Sequence, residues 1–123
     1  MTRAADLGRT AERHAANYLR RAGLRIVERN YQCRFGEIDL IALHELTLVF
    51  VEVRFRTSST QFASPAESVG PHKRQRLARA AGHYLSTHLA HAGRRCRFDV
   101  LCITKPHYRM HVQWIRNAFD SDE

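Results

Sequence analysis

Residues 36–56 read GEIDLIALHELTLVFVEVRFR. The runs GEIDLIAL (36–43) and LTLVFVEVRFR (46–56) are dense in β-branched and aromatic residues, so the stretch predicts two strands joined as a hairpin. The turn, near His44 and Glu45, lacks Asn-Gly or Asp-Gly chemistry. Side chains alternate across a strand. Glu37, Asp39, Ile41 and Leu43 are therefore expected on one face of the first strand, and Ile38, Leu40 and Ala42 on the other. In the second strand Leu48, Phe50, Glu52 and Arg54 share a face, opposed by Val49, Val51, Val53 and Phe55. Both faces are apolar over most of each strand, the pattern of a central strand covered on both sides. An ionised carboxylate is costly there unless it is paired or bound to a metal.

Register sharpens the point. A turn centred between Glu45 and Leu46 sets Asp39 opposite Glu52 and Glu37 opposite Arg54. Opposed side chains have Cβ atoms about 5 Å apart. Two carboxylates that close repel, and a proton or a cation relieves them. Magnesium takes oxygen ligands from a few carboxylates, waters and substrate phosphate. Acidic residues alternating with apolar ones also occur on half-exposed strands, so Glu37 and Asp39 alone read as a solvated strand face. Glu52, at matching parity on the neighbouring strand, moves the reading to an acidic metal pocket at one end of a sheet.

Outward from the hairpin, Leu7, Ala11, Ala15, Tyr18, Leu19 and Ala22 recur at helical spacing, with Gly23 as a stop. The opposite face carries Arg3, Arg9, Arg13, Arg20 and Arg21. Residues 26–34 read as extended. Residues 57–64 (TSSTQFAS) are expected to form a mobile loop. A second helix is expected over 72–91, a strand over 97–104, an edge strand over 111–115, and a frayed acidic tail over 119–123. The order α, β-β-β, α, β, β predicts a single α/β domain over 1–123, a mixed central sheet flanked by helices.

Twenty Lys and Arg stand against twelve Asp and Glu, a formal charge of +8. That balance favours an anionic partner, nucleic acid first and an acidic membrane surface second. A basic surface for a polyanion plus an acidic point for a metal is the layout of a phosphodiester-cleaving enzyme. The 44% apolar content excludes a disordered chain. No apolar run approaches the roughly 20 residues a membrane helix needs, and no signal-peptide pattern opens the chain. Cys33, Cys96 and Cys102 lack CxxC spacing and read as packing residues, which makes a reducing cytoplasm the expected location.

Beyond composition, several blocks carry a resemblance: LGRTAERHAANYL (7–19), NYQCRFGEIDLIA (30–42), LVFVEVRFR (48–56), the stretch from Pro65 through KRQRLARAAGHYL (73–85), RFDVLCIT (97–104) and WIRNAF (114–119). In order and spacing, over nearly the whole chain, they resemble the small YraN-type bacterial family of the restriction-endonuclease-like PD-(D/E)XK superfamily. The resemblance implies a restriction-endonuclease-like mixed sheet between helices and a divalent-metal site, for Mg²⁺ or Mn²⁺. Asp39 matches the first metal-binding aspartate and Glu52 the acid of the second motif. Val53 would offer a backbone carbonyl to the metal, and Glu37 would support the metal or its waters. Glu12 matches an acidic helix position of the related junction-resolvase branch, with a solvated helix face as the equal alternative. The motif lysine is Arg54 here. Arginine stays charged but clamps a phosphate through parallel hydrogen bonds. Lys73, at the start of the second helix, is a further candidate to reach the pocket, and Gln75 is expected to point into it.

Arg74, Arg76 and Arg79 are read together as part of a nucleic-acid surface, although any one of them alone reads as a soluble helix face. His83, His88 and His91 share a helix, but their spacing aligns metal ligands poorly; His107 and His111 read as surface residues. Tyr31 and Phe35 read as core rather than base-stacking residues. The expected function is a Mg²⁺- or Mn²⁺-dependent nuclease acting on DNA more than RNA. Branched or single-stranded intermediates of DNA repair or recombination are the candidate substrates, and a homodimer would suit symmetric cutting. The alternatives are a nucleic-acid-binding module that keeps the fold without cutting and a small adaptor that docks an acidic protein.

Overall fold

The computed structural model describes residues 4–56, 69–104 and 110–119. The candidate mobile loop at 57–64, His107 and residues 120–123 lie outside them.

The chain opens with helix α1, Ala4–Arg21. Ala11, Ala15, Ala16 and Leu19 are buried while Arg9, Arg13, Arg20 and Arg21 are exposed, so helical spacing separates a thin apolar stripe from a basic face. Gly23, at φ +97, ends it. Its N–H reaches the Arg20 carbonyl, and the Leu24 N–H reaches that of Leu19 at 2.9 Å. This is a Schellman stop, which needs the left-handed residue that glycine supplies.

Strands β1 (Arg25–Cys33), β2 (Gly36–His44) and β3 (Thr47–Arg56) follow as an antiparallel meander. Helix α2 (Pro71–Thr87) then carries the chain over to β4 (Cys96–Thr104), which lies parallel to β3, and β5 (His111–Phe119) closes the sheet antiparallel. Sheet order is β1-β2-β3-β4-β5. A mixed five-stranded sheet with a helix on each face is the α/β, restriction-endonuclease-like arrangement expected from the sequence. Among the described residues no helix is long and apolar enough to cross a membrane.

The alternation in β3 holds. Val49, Val51, Val53 and Phe55 pack toward α1, and Leu48 and Phe50 toward α2. In β2 it is interrupted at Asp39. Leu40 and Ala42 join the α1 cluster, but Ile38 joins Ile41 beneath α2 instead of sharing their face. Across from Asp39, between the pairs Arg29↔Leu40 and Tyr31↔Ile38, Asn30 adopts φ +54. The break in alternation thus coincides with a left-handed residue in the paired strand, inside an unshifted register.

Two ends differ from expectation. The α-helix stops at Thr87, and Leu89–His91 form a separate 3-10 turn, because His88 leaves helical dihedrals (φ −131, ψ 74). Strand β5 runs on to Phe119, which is buried rather than frayed. The register shift between Phe98 and Val100, with Asn117 at φ +51, absorbs the break that hides this extension from a simple alternation count.

Candidate metal centre

The β2–β3 ladder runs from His44↔Thr47 to Leu40↔Val51, the register given by a turn centred between Glu45 and Leu46. Asp39 and Glu52 are the next residues beyond it. There Asp39 turns its carboxylate onto the neighbouring strand: the Val53 backbone N–H donates to Asp39 Oδ2 at 2.8 Å. A side chain thus takes a ladder donor, which anchors the carboxylate at the point where the strands part.

Glu52 is 4% exposed. Its Oε2 meets two cations, Lys73 Nζ at 2.9 Å and Arg54 Nε at 3.3 Å. Lys73 comes from the first turn of α2 and Arg54 from the same strand as Glu52. Among the described residues no cation pairs with Asp39 in this way. Burial, and then the negative charge of Glu52, push its carboxyl from 3.8 up to about 8, against the opposing pull of the Val53 N–H. Asp39 therefore holds a proton at neutral pH when no cation is bound.

Glu37 and Glu12 extend the cluster. One carboxylate oxygen each from Glu12, Glu37 and Asp39 lie within 4.8 Å of one another. Glu12 reaches in from α1, one helical turn after the exposed Arg9. Asp39 thus neighbours both the Glu12–Glu37 pair and Glu52. A pocket of about 230 Å³ opens on this group, lined by Gly36, Glu37, Asp39, Glu52, Lys73, Arg76 and Leu77. At Gly36 (φ +142) a Cβ would meet the Arg76 Cβ at 3.8 Å, so the β1–β2 turn lies directly against α2.

The donor set is all carboxylate. Hard oxygen donors of this kind suit Mg²⁺ or Mn²⁺ rather than zinc or copper, and a divalent ion would replace the proton that Asp39 otherwise keeps. The residues present fit such an ion.

Other candidates sit elsewhere. Gln75 is exposed and does not line the pocket; Arg76, its neighbour, does. The Arg74 Nε donates to the Val69 carbonyl at 2.7 Å, and its guanidinium lies 5.3 Å from the Phe119 ring centroid. Arg79 is exposed. The Val53 N–H bonds Asp39. Two of the histidines serve packing at α2: His83 bonds the Tyr31 hydroxyl at 2.6 Å, and His88 stacks on Tyr84 at 3.8 Å. Tyr31 is buried, as its core reading requires.

A second carboxylate escaped the sequence reading. Asp99 is 1% exposed. It accepts from Arg97 Nε at 3.0 and 3.2 Å, from Trp114 Nε1 at 2.9 Å and from the Asn117 N–H at 2.9 Å. Arg97 also reaches His44 Nδ1 at 2.8 Å. Three kinds of donor satisfy this carboxylate and pin the irregular part of β5 to β4. Its signal was present in RFDVLCIT, an acid inside an apolar strand, the same cue that marked Asp39.

Comparison with known proteins identifies the family. Residues 11–103 match the model of the uncharacterised protein family UPF0102. A UPF0102 protein of Alcanivorax borkumensis is 50% identical over 119 residues, covering 95% of this chain and 94% of that one. One from Stutzerimonas stutzeri is 46% identical over 121 residues, covering 98% and 100%. Another, from Nitrosomonas europaea, is 46% identical over 120 residues, covering 98% of each. With the family model spanning most of its length and relatives this similar end to end, the chain belongs to the UPF0102 family.

Proposed function

We propose that this protein is a divalent-metal-dependent nuclease that hydrolyses DNA phosphodiesters. The observation that carries the reading is the convergence of Asp39 and Glu52, from adjacent strands, with Lys73 and Arg76 in one pocket. Carboxylates to hold a cation and basic groups to hold a phosphate are the two halves of such a site. Asp39 and Glu52 would hold Mg²⁺ or Mn²⁺, with Glu37 and Glu12 on the ion or its waters. When bound, the ion polarises the phosphate and activates the attacking water. The Val53 N–H fixes the orientation of Asp39. Arg76, at the pocket wall, and Arg79, exposed one turn later, are placed to hold the strand that enters.

The recessed position of Glu52 favours a strand that can bend inward. Branched or single-stranded intermediates of repair fit that demand better than a rigid duplex does. A non-cutting nucleic-acid-binding protein is the second reading, favoured by one observation: the motif lysine is replaced by Arg54, whose buried Nε lies 3.3 Å from Glu52 Oε2. The test is incubation of the protein with duplex, single-stranded and branched DNA in Mn²⁺, Mg²⁺ or chelator. Metal-dependent cutting that Asp39→Ala and Glu52→Ala both abolish, with DNA binding intact, supports the nuclease. Salt-sensitive binding that ignores metal, without cutting, supports the binding module.

A further inference from the structure

The pocket contains a lysine that arrives from a different element than the sequence pattern anticipates. Lys73 Nζ lies 2.9 Å from Glu52 Oε2, and Lys73 lines the pocket. Arg54, the residue standing at the motif position, meets the same oxygen at a longer 3.3 Å and is not among the lining residues. The Arg54 side chain is 26% exposed against 37% for Lys73, and its Nε is fully buried. Arg54 is thus the inner cation and Lys73 the outer one.

The placement of Lys73 is unfavourable for the helix alone. It sits in the first turn of α2, where no acidic residue occurs and the positive end of the helix dipole repels an ammonium. Arg74 and Arg76 add further positive charge nearby. Contact with Glu52 offsets this repulsion and directs the ammonium into the pocket.

The two cations also differ in kind. An ammonium is a compact point charge with three rotatable donors, whereas a guanidinium offers a flat, fixed fork. A water and a phosphate oxygen lying in different directions suit the first. Resting on the metal-nuclease reading, we infer that Lys73 takes the part that the pattern assigns to position 54. It holds the attacking water and a non-bridging phosphate oxygen, while Arg54 fixes Glu52 from within. In the step it serves, the water oxygen forms a bond to phosphorus and the ester P–O bond breaks. The electron pair leaves on the sugar oxygen, and the proton lost by the water balances the proton that oxygen takes up. Lys73 donates hydrogen bonds throughout and keeps its own proton.

Lys73 and a divalent ion also compete for Glu52 Oε2, which gives the inference a signature with two opposite signs. Four proteins are compared: wild type, Lys73→Met, Lys73→Gln and Arg54→Lys/Lys73→Met. Manganese affinity is read by titration calorimetry, and cutting of single-stranded and branched DNA is read in Mn²⁺. The Lys73→Met protein is expected to bind Mn²⁺ about tenfold more tightly, since a like charge has been removed from the ion's surroundings. It is expected to cut about 100-fold more slowly or worse. The double variant, with a lysine returned to position 54, regains at least tenfold of that loss. A residue that merely supports the fold would give neither tighter metal binding nor rescue. Lys73→Gln, which keeps a polar side chain, guards against a folding defect and is expected to behave as Lys73→Met does.

Unchanged cutting by Lys73→Met, from a wild type that cuts, overturns this inference and leaves the metal-nuclease reading standing. Slowed cutting without rescue, or weakened Mn²⁺ binding, overturns it likewise. A wild type that binds Mn²⁺ and cuts none of the substrates overturns both.

Discussion

Replacing Asp39 with Asn should make the metal-free protein more stable at high pH and remove part of its pH dependence. The carboxyl of Asp39 is raised from 3.8 to about 8, first by burial and then by the charge of Glu52. Between those values the folded state keeps a proton that the unfolded chain releases. Protons therefore favour folding, and stability falls as pH rises from about 4 through 8. The slope reaches at most about 1.4 kcal/mol per pH unit for one proton. In a domain of this size that corresponds to roughly 4–7 °C in Tm per unit. Asn is a near-isostere of the protonated acid. Its oxygen can accept the Val53 N–H and its amide can donate to Glu52, so the contacts survive while the titration does not. The assay is thermal unfolding in chelator at pH 4 to 9, with the variant subtracted from wild type to cancel the other acids and the histidines. The variant curve should be flatter, and the gap in its favour should widen toward pH 8 and then level off. Manganese should then raise the wild-type Tm at pH 8 and leave that of Asp39→Asn nearly unmoved. Parallel curves over the whole range would refute the reasoning.

Other perturbations probe separate parts of the account. Asp99→Ala strands the Arg97 guanidinium, the Trp114 indole and the Asn117 N–H, and is expected to lower stability by about 3–5 kcal/mol in urea unfolding; a loss under 1 kcal/mol would contradict the structural role given to that carboxylate. Ala15 is fully buried against the sheet, so Ala15→Leu should overpack the α1 layer and cost about 1–3 kcal/mol in the same assay. DNA affinity should fall steeply with salt, and Arg79→Ala should reduce the slope of log K against log salt by about one contact's worth, roughly 0.9; an unaltered slope would remove Arg79 from the interface.

The residues explain what the sequence could and could not convey. The hairpin register followed from centring the turn between Glu45 and Leu46, and a slip by one residue would turn Glu52 to the other side. The meeting of Asp39 and Glu52 followed from that register. The displacement of Ile38 was not legible; it coincides with a left-handed Asn30 in the neighbouring strand. Lys73 and Gln75 were both expected to reach the acids from α2, but which side chain does so depends on the packing angle of the helix. The structure places Lys73 and Arg76 at the pocket, and Gln75 in solvent. Asp99 could have been flagged by the argument applied to Asp39. Its partners, Trp114 and Asn117, come from a strand whose irregular register conceals them.

Titration of the metal-free protein with Mn²⁺ tests the convergence of these acids most directly. Wild type should take up the ion with an affinity that rises with pH toward 8, while Asp39→Asn and Glu52→Gln each lose at least tenfold. Equal binding by all three proteins, or no binding by wild type, would contradict the metal centre.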